Sequence, residues 1–236
     1  MDNFMKLING LSNTLNDIMT NYSDMLVQGM LDTLYMTLVA TIIAYLFGLP
    51  IGILAEVTSK DGIHPMPVIN KVLGFIINVG RSIPFIILLV AIMPFTRMVI
   101  GTTIGPKAAT VPLIIGAIPF IARLVENSLK ELDKGVIEAA RSMGASDMQI
   151  VFKVMLVEAL PSIILGVSLS SITLVGYTAM AGTVGGRGLG DIAIRYGYYR
   201  YQPDVMIITI ILLVILVQII QSIGQLISKK IDKKNT

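Results

Sequence analysis

The chain has 236 residues, 54% of them hydrophobic and only 14% charged, with a mean hydropathy of +0.80. Soluble domains carry about 25% charged residues, so a water-facing surface of this size is excluded and a bundle facing acyl chains, polar only at its two ends, is implied. With no Cys, one histidine and a net charge of +3 spread between apolar stretches, disulfides, zinc sites, histidine-based catalytic groups and a nucleic-acid stripe lose their support.

Residues 1–29 come first. Phe4, Met5, Leu7, Ile8, Leu11, Leu15, Ile18 and Met19 recur at helical spacing between polar residues, which predicts an extracytoplasmic, interfacial amphipathic helix and not the apolar core of a signal peptide. A single membrane domain over 30–227 follows, with spanning helices expected at 31–55, 72–96, 109–125, 160–181 and 205–227. At ~1.5 Å per residue the last reaches ~34 Å, enough for a hydrocarbon core of ~30 Å. Pro50, Pro84, Pro112 and Pro119 fall within these stretches and predict kinks packed against neighbouring helices. The expected fold is an all-α polytopic membrane protein of five helices, closed by a basic tail at 228–236.

Orientation follows from Lys and Arg in the connections. Lys60, Lys71, Arg123, Lys130, Lys134, Arg141, Lys153, Lys229, Lys230, Lys233 and Lys234 lie on one side, against Lys6, Arg97, Lys107, Arg187, Arg195 and Arg200 on the other. The richer side is cytoplasmic by the positive-inside rule, so the N-terminus is expected outside and the C-terminus inside. His64, in the Gly/Pro-rich connection after the first span, reads as a plain loop residue.

The connection at 131–157 reads as ordered structure. Gly135 opens a helix whose Val136, Ile137, Ala139, Ala140 and Met143 make a small apolar face, with Glu138 able to meet Arg141 three residues on. Gly144 suits the left-handed position that ends a helix. Ser146 is an N-cap with Gln149 in the reciprocal position, and Asp147 favours the start of the new helix dipole. A helix–turn–helix beneath the membrane is expected, with Ala139 and Ala140 offering a shallow surface to a partner's groove.

Glu138-Ala139-Ala140, with Gly144 four residues further and a hydrophobic continuation, resembles the signature of bacterial ABC-importer permease subunits. The resemblance extends over roughly residues 30–230. It includes GRSIPFIILLVAIMPFTR at 80–97, GAIPFIARLVENSLKEL at 116–132 and LVGYTAMAGTVGGRGLGDIAIRYGYYRY at 174–201, which together are similar to the permeases of methionine uptake systems. It implies that the loop is a coupling helix seated in a cleft of a partner ATPase, with Glu138, Ala139, Ala140, Arg141 and Gly144 in that role. It further implies a homodimer in bacterial inner-membrane lipid, two ATP-binding subunits, and an external methionine-binding lipoprotein. No cofactor is expected in this chain, ATP and magnesium residing on the partner, and the stereoisomer carried is left open. One departure is Leu156-Val157 where the family pattern has Leu-Pro; Leu160-Pro161 follows, so the break into the next span is expected there.

Arg81 is the formal charge well inside an apolar stretch, at a cost of roughly 2.5–3.5 kcal/mol on insertion scales. It faces a watery path or a polar partner, or snorkels to the interface. With Ser82, Pro84, Tyr177 and Met180 it forms the candidate translocation path or gate. The run GTVGGRGLGD at 182–191 follows a span and not a strand, so a tightly turning segment is expected there in place of a dinucleotide loop. Tyr177, Met180, Tyr196, Tyr198, Tyr199 and Tyr201 can form a gate, an interfacial belt or helix packing. The phosphate-cradling pattern G-x-x-x-x-G-K-[ST] is not found. The alternatives are a permease for another small solute, an ion-driven secondary transporter, which wants in-span carboxylates where only Asp32 lies near a span end, and a membrane enzyme, which lacks a general base.

Overall fold

Lipid offers backbone N–H and C=O groups no partner but each other, and the apolar stretches fold accordingly as helices. The computed structural model describes residues 22–232. Within them the chain forms α1 (Ser23–Val57), α2 (Pro67–Ser82), α3 (Phe85–Ala91), α4 (Met93–Ile100), α5 (Pro106–Lys130), α6 (Lys134–Ser142), α7 (Asp147–Gly182), α8 (Leu189–Ile192) and α9 (Pro203–Ile231). Among the described residues α1, α5, α7 and α9 are long and apolar enough to cross a membrane, and α2 and α3, bent at a short break, are together apolar enough to make a fifth if the pair is counted as one broken span.

The bundle is held by close helix approach, because lipid tails are as apolar as Leu and supply no drive to bury it. Ala40, Ala44, Gly48 and Gly52 recur every fourth residue along one buried face of α1, the face that α5 packs against. A Cβ on Gly52 would sit 2.5 Å from the Ala122 carbonyl oxygen and 2.7 Å from Val125 Cβ. Met36, Leu113, Ile121 and Leu174 fill the seam between α1, α5 and α7.

Two ends are fixed by cross-links between connections. At the far end, Gln202 donates to the Tyr22 hydroxyl (3.1 Å), the Leu189 N–H to Thr33 Oγ1 (2.9 Å) and the Gly105 N–H to the Gly185 carbonyl (2.9 Å). At the other, Arg141 reaches the Ile63 carbonyl (2.9 Å). The described chain therefore starts at the far end and closes, with α9, at the end carrying α6.

Several element boundaries differ from the sequence expectation. α1 starts at Ser23, so residues 23–29 are the first turns of a spanning helix, recruited because Leu26 and Gly29 pack on Leu189 and Ile192; the remainder of the expected amphipathic segment lies outside the described residues. The stretch 72–96 is not one span: α2 and α3 meet at 96°. Pro84 cannot continue the ladder, and it holds Ile83 extended (φ −80°, ψ 120°). α5 outruns 109–125 at both ends, opened by Pro106 and carried past Arg123 by that residue's pairing with Glu126 (2.7 Å) and Asn78 (2.8 Å). The break expected at Leu160-Pro161 is absent, since α7 runs from Asp147 through Pro161. A proline's φ suits a helix, and α9 lends its Ser228 hydroxyl to the Pro161 carbonyl (3.0 Å). The tail is helical to Ile231, with Lys229 and Lys230 in the last turn of α9, where the helix dipole favours cations; Lys233 and Lys234 lie outside the described residues.

Candidate functional site

The elbow between α5 and α7 is built by local bonds. Asp133 caps α6 by accepting from the Gly135 N–H (2.8 Å). α6 closes when Gly144 takes φ +81°, with its N–H on the Arg141 carbonyl (3.0 Å) and the Ala145 N–H on the Ala140 carbonyl (3.1 Å), the paired bonds of a Schellman stop. Ser146 and Gln149 then form the reciprocal box that starts α7. The second helix of the elbow is thus the foot of a spanning helix, and any push on α6 is delivered to α7 through two fixed turns. A π-helical stretch, Ile150–Met155, follows at once and seats Ile150, Val151 and Met155 in the core.

The expected apolar face divides. Ile137 and Ala140 turn into the bundle, Ala140 being buried, whereas Glu138, Ala139 and Gly144 are exposed. Ala140 therefore does not share the outward surface with Ala139, because their 100° separation puts one on the bundle and the other outside. The outward apolar groups are Val136, Met143, Met148 and Phe152, of which Met143 is 83% exposed. Met148 and Phe152 escaped the sequence reading, although their spacing of four on the foot of α7 signals one face.

Arg141 does not pair with Glu138. Its guanidinium donates to the Ile63 carbonyl (2.9 Å) and lies 3.8 Å from Asp147, whose other oxygen is 3.3 Å from His64 Nδ1. His64 lies in the α1–α2 connection, as expected, and its ring adds a contact at Asp147 to the clamp that Arg141 makes between that connection and the elbow. That connection is itself folded back, with the His64 and Met66 N–H groups on the Val57 and Thr58 carbonyls (3.0 Å each) and Asn70 donating to Ala55 (2.7 Å). The elbow is consequently tied to α1 and α2 as well as to α5 and α7.

The second feature lies at the break between α2 and α3. Arg81 sits in the last turn of α2, exposed, and without a bonding partner among the described residues. It lines a cavity of about 140 Å³ with Phe85, Leu88, Gly116, Phe120 and Tyr177. Phe85 and Tyr177 stack at 4.3 Å with planes 2° apart, so α3 and α7 meet there. Pro84 makes the bend but does not line the cavity, Ser82 turns its hydroxyl back to the Asn78 carbonyl (2.7 Å), and Met180 is exposed elsewhere on α7. Of the path residues read from sequence, the structure brings together Arg81 and Tyr177.

The glycine-rich run is a turn. Gly185, Arg187 and Gly188 all take positive φ before α8. The tyrosines scatter: Tyr196 packs edge-on to Tyr22 (6.2 Å) beneath Arg200, while Tyr198, Tyr199 and Tyr201 are exposed. Asp191 pairs with Arg195 (2.5 Å), yet burial outweighs that cation and pushes its carboxyl above the ordinary value. Among the described residues no group of three His, Asp or Glu is placed to hold a metal ion.

Residues 48–233 match the family model described as binding-protein-dependent transport system inner membrane component. The chain is 48% identical over 222 residues to the probable D-methionine transport system permease protein MetI of Vibrio cholerae, covering 94% of this chain and 99% of that one. It is 45% identical over 177 residues to the methionine import system permease protein MetP of Bacillus subtilis, covering 75% and 80%. An inward-facing structure of the MetNI methionine ABC transporter superposes with a TM-score of 0.88 at 48% identity, covering 90% of this chain and 98% of that one. A crystal structure of an amino acid ABC transporter with histidines, at 22% identity and a TM-score of 0.74, shares the fold. With the family model matched over most of the chain and a curated permease aligned over 94% of it, the chain belongs to the binding-protein-dependent transport system inner membrane component family as the permease subunit of an ABC importer.

Proposed function

We propose that this permease carries methionine across the inner membrane as a homodimer, with two ATP-hydrolysing subunits on the elbow side and an external methionine-binding lipoprotein docking at the far end. The elbow end is then cytoplasmic, supported by the excess of Lys and Arg in the connections there. The observation that carries the reading is the elbow itself: a capped helix with exposed Val136, Met143, Met148 and Phe152, joined without slack to a spanning helix. An apolar surface facing water at the end of a membrane bundle is a docking surface.

In this reading Glu138, Ala139 and Gly144 meet the ATPase cleft, Ala140 anchors the elbow from behind, and Arg141 fixes its angle. ATP binding draws the two ATPases together, the elbows swing α7 and, through the clamp, α1 and α2, and the path opens outward. Hydrolysis restores the inward-facing state. Arg81 and Tyr177 line the path, Pro84 sets its bend, and Ser82 and Met180 flank it.

The test is reconstitution. Vesicles holding the permease with its ATPase and loaded binding protein should concentrate methionine in an ATP-dependent manner, and the permease alone should move nothing uphill. Uphill accumulation by the purified chain unaided would sink the proposal.

A further inference from the structure

The cavity at the break of the second span carries an asymmetry that bulk sequence properties do not express. Two arginines stand near the α2–α5 seam. Arg123 is fully compensated, forked onto Glu126 (2.7 and 2.8 Å) and held by Asn78 (2.8 Å). Arg81, one turn beyond Asn78, has no anionic or carbonyl partner among the described residues. A guanidinium at membrane depth is expensive unless something anionic answers it, and its planar fork suits a carboxylate bidentately. No carboxylate among the described residues lines its cavity.

The rest of the wall has the opposite character. Phe85, Phe120 and Tyr177 present aromatic rings, two of them stacked and fixed. Two glycines give the cavity its form. A Cβ on Gly80 would fall 2.8 Å from Pro119 Cγ, so only glycine lets the end of α2 lie this close to α5. A Cβ on Gly116 would stand 3.2 Å from Leu88 and 3.4 Å from Phe85, inside the space that the rings enclose. One face therefore offers an unpaired cation and the other an aromatic slot, within about 140 Å³.

We infer that this cavity is a substrate subsite for a zwitterionic amino acid with an unbranched apolar side chain: Arg81 takes the α-carboxylate, and Phe85, Phe120 and Tyr177 hold the thioether, which favours contact with aromatic rings. The assignment rests on the proposed methionine transport and adds to it which atoms are recognised and where. It also gives the broken span a reason, since the bend at Pro84 brings the guanidinium of α2 and the ring of Phe85 on α3 to the same space.

The experiment uses the complete assembly of permease and ATPase in nanodiscs, with equilibrium binding of radiolabelled methionine competed by unlabelled methionine, methioninol, which lacks the carboxylate, and norleucine, which lacks the sulfur. In the parent, methioninol competes at least tenfold more weakly than methionine. Arg81→Ala weakens methionine at least tenfold and erases its advantage over methioninol, Arg81→Lys restores part of it, and Phe120→Ala weakens methionine more than norleucine. Should Arg81→Ala disrupt the assembly, Arg81→Lys and Gly116→Ala carry the test, the latter weakening all three ligands by filling the slot. Parent-like preference for methionine over methioninol in both Arg81 variants overturns the subsite while leaving methionine transport standing. An assembly that neither binds nor transports methionine overturns the transport reading, and the subsite with it.

Discussion

Replacing Arg141 with alanine separates a clamp from a mere surface charge. The substitution removes a charge-assisted bond to the Ile63 carbonyl (2.9 Å) and a weaker pairing with Asp147 (3.8 Å). Bonds to charged groups contribute about 1.5–3 kcal/mol when sheltered. The Arg141 side chain is 56% exposed, so water competes and roughly 1 kcal/mol remains; the half-exposed pair with Asp147 adds at most about 0.5 kcal/mol. Since 1.4 kcal/mol is tenfold, the ratio of clamped to released elbow should fall about 5- to 12-fold. ATP hydrolysis by the reconstituted importer, measured with and without loaded binding protein, should show a stimulation ratio reduced by about that factor while assembly is retained. His64→Ala should weaken the same clamp, and the double variant should fall short of the sum of the two, because both residues act through Asp147. Parent-like stimulation in both single variants, or strict additivity in the double, would refute a shared clamp.

Gly144→Val meets no atom of this chain within 4 Å of its Cβ, so its effect on the elbow itself is backbone strain at φ +81°, about 1–2 kcal/mol; if that strain dominates, ATPase activity should lose its response to loaded binding protein, whereas Gly144→Asn, which tolerates this conformation, should keep it. Equal loss in both would point to side-chain bulk in the ATPase cleft. Gly190→Ala would put a Cβ 2.2 Å from Ala179 Cα, a backbone contact that cannot yield. Displacing α8 from α7 should cost about 3 kcal/mol, seen as a lower melting temperature of the purified permease; an unchanged melting curve would contradict that packing.

Much of the elbow is legible in sequence because its instructions are local. Gly144 as a left-handed stop and the Ser146–Gln149 box each involve residues within five positions, and the structure shows both. The side of α6 that faces the bundle was not legible. Ala139 and Ala140 are chemically alike, and only the packing of α6 on the Ile150–Met155 stretch, which puts Ala140 in the core cluster, decides which is buried. His64 and Arg141 are a further case: 77 residues separate them, and nothing near either signals that a folded-back connection will bring both to Asp147. Arg81 could be flagged as an anomaly from hydropathy, but its neighbours could not be named.

The sequence by itself determines the solvent, the apolar stretches that become helices and the local stop and start at Gly144 and Ser146, because each follows from residue chemistry acting over a turn or two of chain. Which of Pro50, Pro84, Pro112 and Pro119 breaks a helix it does not determine, since Pro50, Pro112 and Pro119 lie inside continuous helices and only Pro84 among them marks a break. The tertiary structure alone decides the extension of α1 to Ser23, the passage of α7 through Pro161, the clamp on the elbow, and the pairing of an unanswered guanidinium with an aromatic slot. Those outcomes depend on how closely two helices can approach, and that distance is set by glycines and small residues on one element meeting the backbone of another far along the chain.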